Sequence, residues 1–237
     1  MSIPTAYKQV EYIETTGTQY INTGVIASEY PDPITYEMVC AVTGKSGSSK
    51  TDYYWGVTDG SNRSGYLGLS ADSAHFDLYC GAGSGAVKTC TSVTFNTALT
   101  FTVTASSASA KNATAHINGT AFAAGSTGTN GAHPAGIIWL FACNGISDES
   151  GNRRFVGRCY GFTMTAADGT VIRDFVPCYR VDDGVIGMYD TVGGVFYTNK
   201  GTGSFRLPPA EDDGTGGDTG GTGGDDKGDD TGGSGTS

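Results

Sequence analysis

"GRCYGFTMTAADGTVIRDFV", residues 157–176, has the pattern of a β-hairpin. Two runs rich in Thr, Val, Ile and aromatics flank Asp168-Gly169, and an Asp-Gly pair supplies the positive φ angles of a tight hairpin turn. Side chains alternate along a strand. Tyr160, Phe162 and Met164 therefore share one face, and Cys159, Gly161 and Thr163 the other. Tyr160 and Phe162 are expected in the core. Arg173 and Asp174 are adjacent, so they point to opposite faces and do not pair with each other.

The same rhythm extends in both directions. "VEYIET", "ITYEMVCAVT", "AHFDLYC", "LTFTVTA", "TAHIN", "GIIWLFAC", "VIGMYD" and "GVFYTN" are short and β-rich, and Asn118-Gly119 and Gly193-Gly194 mark two more hairpins. No stretch long enough for a helix repeats its apolar residues every 3.6 positions. The expected fold is all-β, a two-sheet antiparallel sandwich of about a dozen strands, a number that two packed sheets accommodate better than one.

Residues 1–209 read as one continuous domain. After Ala210 the chain has 11 glycines and neither an aromatic nor an aliphatic residue. Such a segment cannot bury enough apolar area to offset its ordering entropy, so 210–237 reads as a disordered acidic tail or linker. It holds eight carboxylates against Lys227 alone, a net −7 of the chain's −10. The domain itself is nearly neutral and shows no basic stripe, which argues against nucleic acid as a partner. No apolar run reaches the roughly 20 residues of a membrane helix, and "MSIPTAYKQVEYIETTG" lacks a basic segment followed by an apolar one. The expectation is synthesis in the cytoplasm without membrane insertion.

Six cysteines allow 15 pairings. Most read as small buried apolar residues, with Cys80–Cys90 the favoured bridge in an oxidising environment. No CxxC pair suggests zinc.

Chemistry is harder to find. Glu11 and Glu14 lie three residues apart, and Asp72 and Asp77 five apart, so each pair is expected on opposite faces, against a glycosidase pair. His75, His116 and His133 stand apart from any nucleophile motif, and no G-x-S-x-G surrounds a serine. The chain therefore reads as a non-enzyme, with no catalytic residue and no cofactor. The loop "NGISDESGNRR", 144–154, offers Asp148 and Glu149 as weak oxygen ligands for a structural Ca2+. Sugar recognition calls for an aromatic surface beside polar loop groups. Tyr54, Asp59, Asn62 and Arg63 in "DYYWGVTDGSNRSGY" (52–66), with Asn144, Asn152 and Arg153 from the later loop, are the ligand-binding candidates. Alternation places Tyr53 and Trp55 on one face and Tyr54 on the other.

A resemblance joins the two ends of the domain. "VEYIETTGTQYINTGV" (10–25), "LFACNG" (140–145), "GFTMTAADGTVIRDFVPCYR" (161–180), "GVIGMYD" (184–190) and "FYTNKGTGSF" (196–205) resemble, in order, concanavalin A-like, laminin-G-type jelly-roll domains. Such domains occur in phage and prophage virion proteins and in surface proteins of gut bacteria. The resemblance implies that the first and last strands close the sandwich together. It also implies a non-enzymatic virion structural or decoration protein, made in the host cytoplasm and acting outside it, whose partners are host or bacterial surface glycans and other virion proteins. A homo-oligomer would suit such a particle. The alternatives are a bacterial cell-surface adhesin or carbohydrate-binding module, and a capsid or tail component without a ligand.

Overall fold

The computed structural model describes residues 3–209 except 48–49, 74, 83–86, 90–92, 107–112, 125–130 and 146–152. The segment read as a tail, 210–237, lies outside the described residues, as do Cys90, Asp148, Glu149 and Asn152.

Among the described residues, seventeen strands follow one another, interrupted by a single 3-10 turn at Ala27–Glu29. They are β1 (Tyr7–Gln9), β2 (Ile13–Thr16), β3 (Ile21–Ile26), β4 (Ile34–Val42), β5 (Asp52–Tyr53), β6 (Trp55–Gly56), β7 (Asn62–Leu69), β8 (Phe76–Ala82) and β9 (Val87–Thr89). After these come β10 (Leu99–Ala105), β11 (Thr114–Ile117), β12 (Thr120–Ala124), β13 (Ile137–Leu140), β14 (Val156–Thr165), β15 (Val171–Arg180), β16 (Ile186–Asp190) and β17 (Val195–Thr198).

One layer is a sheet in the order β12-β11-β10-β4-β14-β15-β16-β17, extended by β2 against β14 and β1 against β15. The second layer comprises β3-β13-β6 and β5-β7-β8-β9. The two parts of this layer are joined through residues 52–58. Tyr54 N donates to Leu67 O on one side and Phe141 N to Tyr54 O on the other. Among the described residues, the pairings between these strands are antiparallel. The architecture is the expected two-layer jelly-roll sandwich.

The core lies between the layers and is rich in aromatics. Tyr36 of β4 and Phe162 of β14 pack on Trp55 of β6 at 5.7 and 5.6 Å between ring centroids. Tyr54 packs on Phe101 of β10 at 5.7 Å and on Phe155 at 4.7 Å. Full burial of one such ring contributes about 1.5–3 kcal/mol. Cys40, Cys143, Cys159 and Cys178 are buried with the apolar residues, as expected.

The hairpins turn where the sequence places them, with positive φ at Asn118, Gly119, Gly169 and Gly194. The termini also meet as expected. Glu14 and Arg206 exchange backbone hydrogen bonds at 2.8 and 3.0 Å, and Lys200 N donates to Tyr20 O at 2.8 Å. Arg173 reaches Asp190 instead of Asp174, as alternation requires.

Two alternation readings need correction. A bulge between Cys159 and Gly161 in β14 shifts the phase by one residue. Cys159 and Phe162 then both face the core, and Tyr160 turns out to pack on Tyr12 at 5.4 Å. A bend at Tyr54 separates β5 from β6. Tyr54 and Trp55 consequently both point inward, 1% and 0% exposed, while Tyr53 turns to the opposite face of the sheet, where it too is buried, at 3% exposed.

Candidate functional site

The outer face of β5, β7 and β8 carries the polar residues that the core cannot take. Register sets Tyr53 opposite Gly68, Gly68 opposite Asp77, and Tyr66 opposite Tyr79. Residues directly opposite in a sheet share a face, so Tyr53, Tyr66, Asp77 and Tyr79 project together. Gly68 makes room for them. A Cβ at that position would lie 2.6 Å from Thr51 Cγ2 and 3.2 Å from Tyr53 Cδ1.

A cleft of about 400 Å3 opens at one end of this face, lined by Lys50, Thr51, Ser70, Asp72, His75, Asp77, Tyr79 and Arg153. The loop between β7 and β8 forms its rim. Ser70 N donates to His75 O at 3.0 Å across the turn, and Ser70 Oγ donates to Asp72 Oδ1. His75 is 7% exposed and Asp77 4%. His75 Nδ1 stands 3.3 Å from Asp72 Oδ1, and its Nε2 stands 3.2 Å from Asp77 Oδ1.

The two oxygens of Asp77 differ. Oδ2 accepts from Thr51 Oγ1 at 3.0 Å and from Tyr79 OH at 3.2 Å. Oδ1 is buried without a hydrogen-bond partner, and so is His75 Nε2. The two atoms are close, but not aligned for a hydrogen bond to each other. A buried polar atom without a partner is costly, and here the two such atoms belong to residues that line the cleft.

Arg153 closes the other side. Its guanidinium carbon lies 4.9 Å from the Tyr53 ring centroid, and Nη2 donates to the Tyr53 phenol. Arg63 sits 5.8 Å from the Tyr79 centroid and donates through Nε to Tyr66 OH at 3.1 Å. Burial pushes the phenols of Tyr53, Tyr66 and Tyr79 above their ordinary range. They keep their protons at neutral pH and act as hydroxyls.

Of the expected ligand residues, the structure brings Arg153 to the cleft. Tyr54 belongs to the core and cannot meet a ligand. Asp59, Asn62, Arg63 and Asn144 do cluster, because Thr58 N donates to Asn144 O at 2.8 Å. Their polar groups largely serve the turn. Asp59 accepts from Ser61 N, Asn62 N and Asn62 Nδ2, Asn62 Oδ1 accepts from Ala132 N, and Asn144 Nδ2 donates to Ile137 O.

Asp72 and Asp77, expected on opposite faces, flank one imidazole because Asp72 lies in the turn before β8 and not on the strand. Their signal was the short polar run "SADSAH" interrupting two apolar strands. His133 also has a neighbour, Asp32 Oδ1 at 3.1 Å from Nε2. Ser106 Oγ donates to the other oxygen of Asp32. The carboxylate thus stands between serine and histidine, an order that does not activate the hydroxyl as a nucleophile. Among the described residues, no group of three or more His, Cys, Asp or Glu is arranged to hold a metal ion.

A larger groove, about 570 Å3, lies between the β15–β16 turn and the segment after β17. Its polar groups are engaged within the chain. Arg180 pairs with Asp183 at 2.5 Å, and Asn199 Nδ2 donates to Gly203 O at 2.9 Å.

No protein family profile and no curated protein matches the chain. Among solved structures, one similar to it is described as a "putative carbohydrate binding protein" from Bacteroides ovatus ATCC 8483. The two superpose with a TM-score of 0.56 at 14% sequence identity, over 84% of this chain and 60% of that one. The chain therefore spans 60% of that protein's length, and the likeness is one of fold.

Proposed function

We propose that this chain is a non-enzymatic glycan-binding β-sandwich borne on phage or prophage particles, and that the cleft at Asp77 receives a sugar of the host surface. The observation that carries the reading is the unpartnered pair Asp77 Oδ1 and His75 Nε2. A sugar hydroxyl donates one hydrogen bond and accepts another. It can give its proton to the carboxylate and accept from the imidazole N–H. Tyr79 and Arg153 supply an aromatic wall and further donors beside it. The description of the Bacteroides ovatus protein as carbohydrate binding agrees with this reading.

The arrangement favours binding over hydrolysis. Asp72 and Asp77 turn oxygens to the same imidazole, whereas a glycosidase sets its two carboxyl groups across the scissile bond. A single shallow cleft binds weakly, and many copies on one particle raise the avidity.

A glycan array probed with the purified chain tests the reading. Retention of at least one glycan class, with no new reducing ends on incubation, is the expected result. Release of reducing ends would make the chain an enzyme. Mass spectrometry of purified particles tests the location. Many copies per particle are expected, and recovery only in the bacterial envelope would favour the surface adhesin.

A further inference from the structure

We propose that the same face of the second layer carries a second sugar-stacking platform, Tyr20–Trp139, so that the ligand is an extended oligosaccharide lying across the strands and not a single terminal sugar. This rests on the glycan-binding reading of the cleft.

The platform follows from alternation in β13. Ile138 and Leu140 are fully buried, so Trp139 points outward, where it is half-buried. Tyr20 precedes Ile21, which is buried in β3, and turns to the same side. The two rings stack with centroids 4.2 Å apart and planes at 27°. Arg154 lies against Tyr20, 5.1 Å from its centroid, and is anchored through Nη1 to Thr18 O. Tyr20 N donates to Asn199 Oδ1 at 3.1 Å, and Tyr20 O accepts from Lys200 N. The Tyr20 side of the stack is thus held from several directions. The indole N–H of Trp139 has no hydrogen-bond partner among the described residues. A rigid aromatic surface with an unused donor at its edge suits a ligand that is apolar on its ring face and polar at its rim. A pyranose is such a ligand.

Register connects the platform to the cleft. Trp139 stands opposite Asn22 on β3 and Gly56 on β6. A Cβ on Gly56 would lie 2.2 Å from Tyr66 Cβ, and Tyr66 stands opposite Tyr79, which lines the cleft. Trp139 and Tyr79 are three strands apart on one face, about 14 Å at the spacing of paired strands. A monosaccharide cannot span that distance, and a short linear oligosaccharide can. Arg63 and Arg153 pack their guanidinium groups on Tyr79 and Tyr53 of this face.

The test uses the full chain and homologous series of malto-, cello-, xylo-, laminari- and chito-oligosaccharides from one to six units, titrated by calorimetry. In the series that binds, affinity should rise about tenfold or more with length, the contribution of one stacked ring. Trp139→Ala should flatten that rise. Trp139→Phe, which keeps an aromatic ring, should restore part of it and guards against a folding defect in the alanine variant.

Fluorescence gives a second readout. The chain has two tryptophans, and Trp55 is fully buried. Iodide should quench Trp139, and the longer saccharides should protect it. Affinity independent of length, or a rise that survives in Trp139→Ala, overturns the platform while leaving the cleft. Failure of every series to bind wild-type protein overturns the cleft and the platform together.

Discussion

Asp190 and Asp77 are both buried aspartates on strands of one sandwich, yet their surroundings are opposite. Asp190 closes the β16–β17 turn and is 0% exposed. Its Oδ1 accepts from Asp174 N and Val192 N, its Oδ2 accepts from Gly193 N, and Arg173 lies 3.4 Å away. Nothing in that environment asks for a further partner. Asp77 is nearly as deep and lines a cleft, but its buried Oδ1 has no hydrogen-bond partner. In the proposed reading, the difference separates a carboxylate that holds the fold from one that receives a ligand. It also shows why Arg173–Phe205, dense in charges and aromatics, acts structurally. Its charged groups pair within the chain, Arg173 with Asp190 and Arg180 with Asp183.

The contrast breaks most readily at Asp190. Asp190→Ala strips three backbone donors and Arg173 of their acceptor, and should cost about 3–5 kcal/mol in urea unfolding, as the loss of one partner from a buried ion pair does. A cost below about 1 kcal/mol would erase the distinction. Asp77→Ala should cost only about 1 kcal/mol, because Thr51 and Tyr79 border the cleft and can turn to water. Glycan affinity should nevertheless fall at least about tenfold, a loss that calorimetry resolves.

Tyr54 sharpens the comparison from the apolar side. Its hydroxyl is buried without a partner in the core. Tyr54→Phe should therefore leave binding intact and stabilise the chain by about 1 kcal/mol, seen as a raised Tm.

The smallest effect concerns pH. Hydrogen bonds from the Asn62 side chain and backbone hold Asp59 below the usual carboxylate range. The folded form thus favours the ionised state. The contribution is fully present above the unfolded pKa near 4 and is lost as pH falls through the folded value. Asp59→Asn should reduce the steepness of acid unfolding in that window, and an unaltered profile would show that the turn contributes nothing there.

Much of the fold was legible in the sequence because hairpin turns and two-residue alternation are local. Asn118-Gly119, Asp168-Gly169 and Gly193-Gly194 turn the chain by backbone conformation alone. The errors arose where one residue shifted the phase, at the Cys159–Gly161 bulge and at the Tyr54 bend. The site was less legible. Asp72, His75 and Asp77 meet through a turn whose geometry alternation does not describe. Trp139 sits in the apolar run "GIIWLFAC", where composition does not reveal which face is outward. Arg153 alone among the expected residues was found at the cleft, as a polar residue close to an aromatic strand.

The most direct test is a crystal structure of the chain with a saccharide selected on the array. The account predicts a sugar hydroxyl hydrogen-bonded to Asp77 Oδ1 and to His75 Nε2, with the ring beside Tyr79. Sugar density in the groove by Arg180 and Asn199, with the cleft at Asp77 empty, would contradict it.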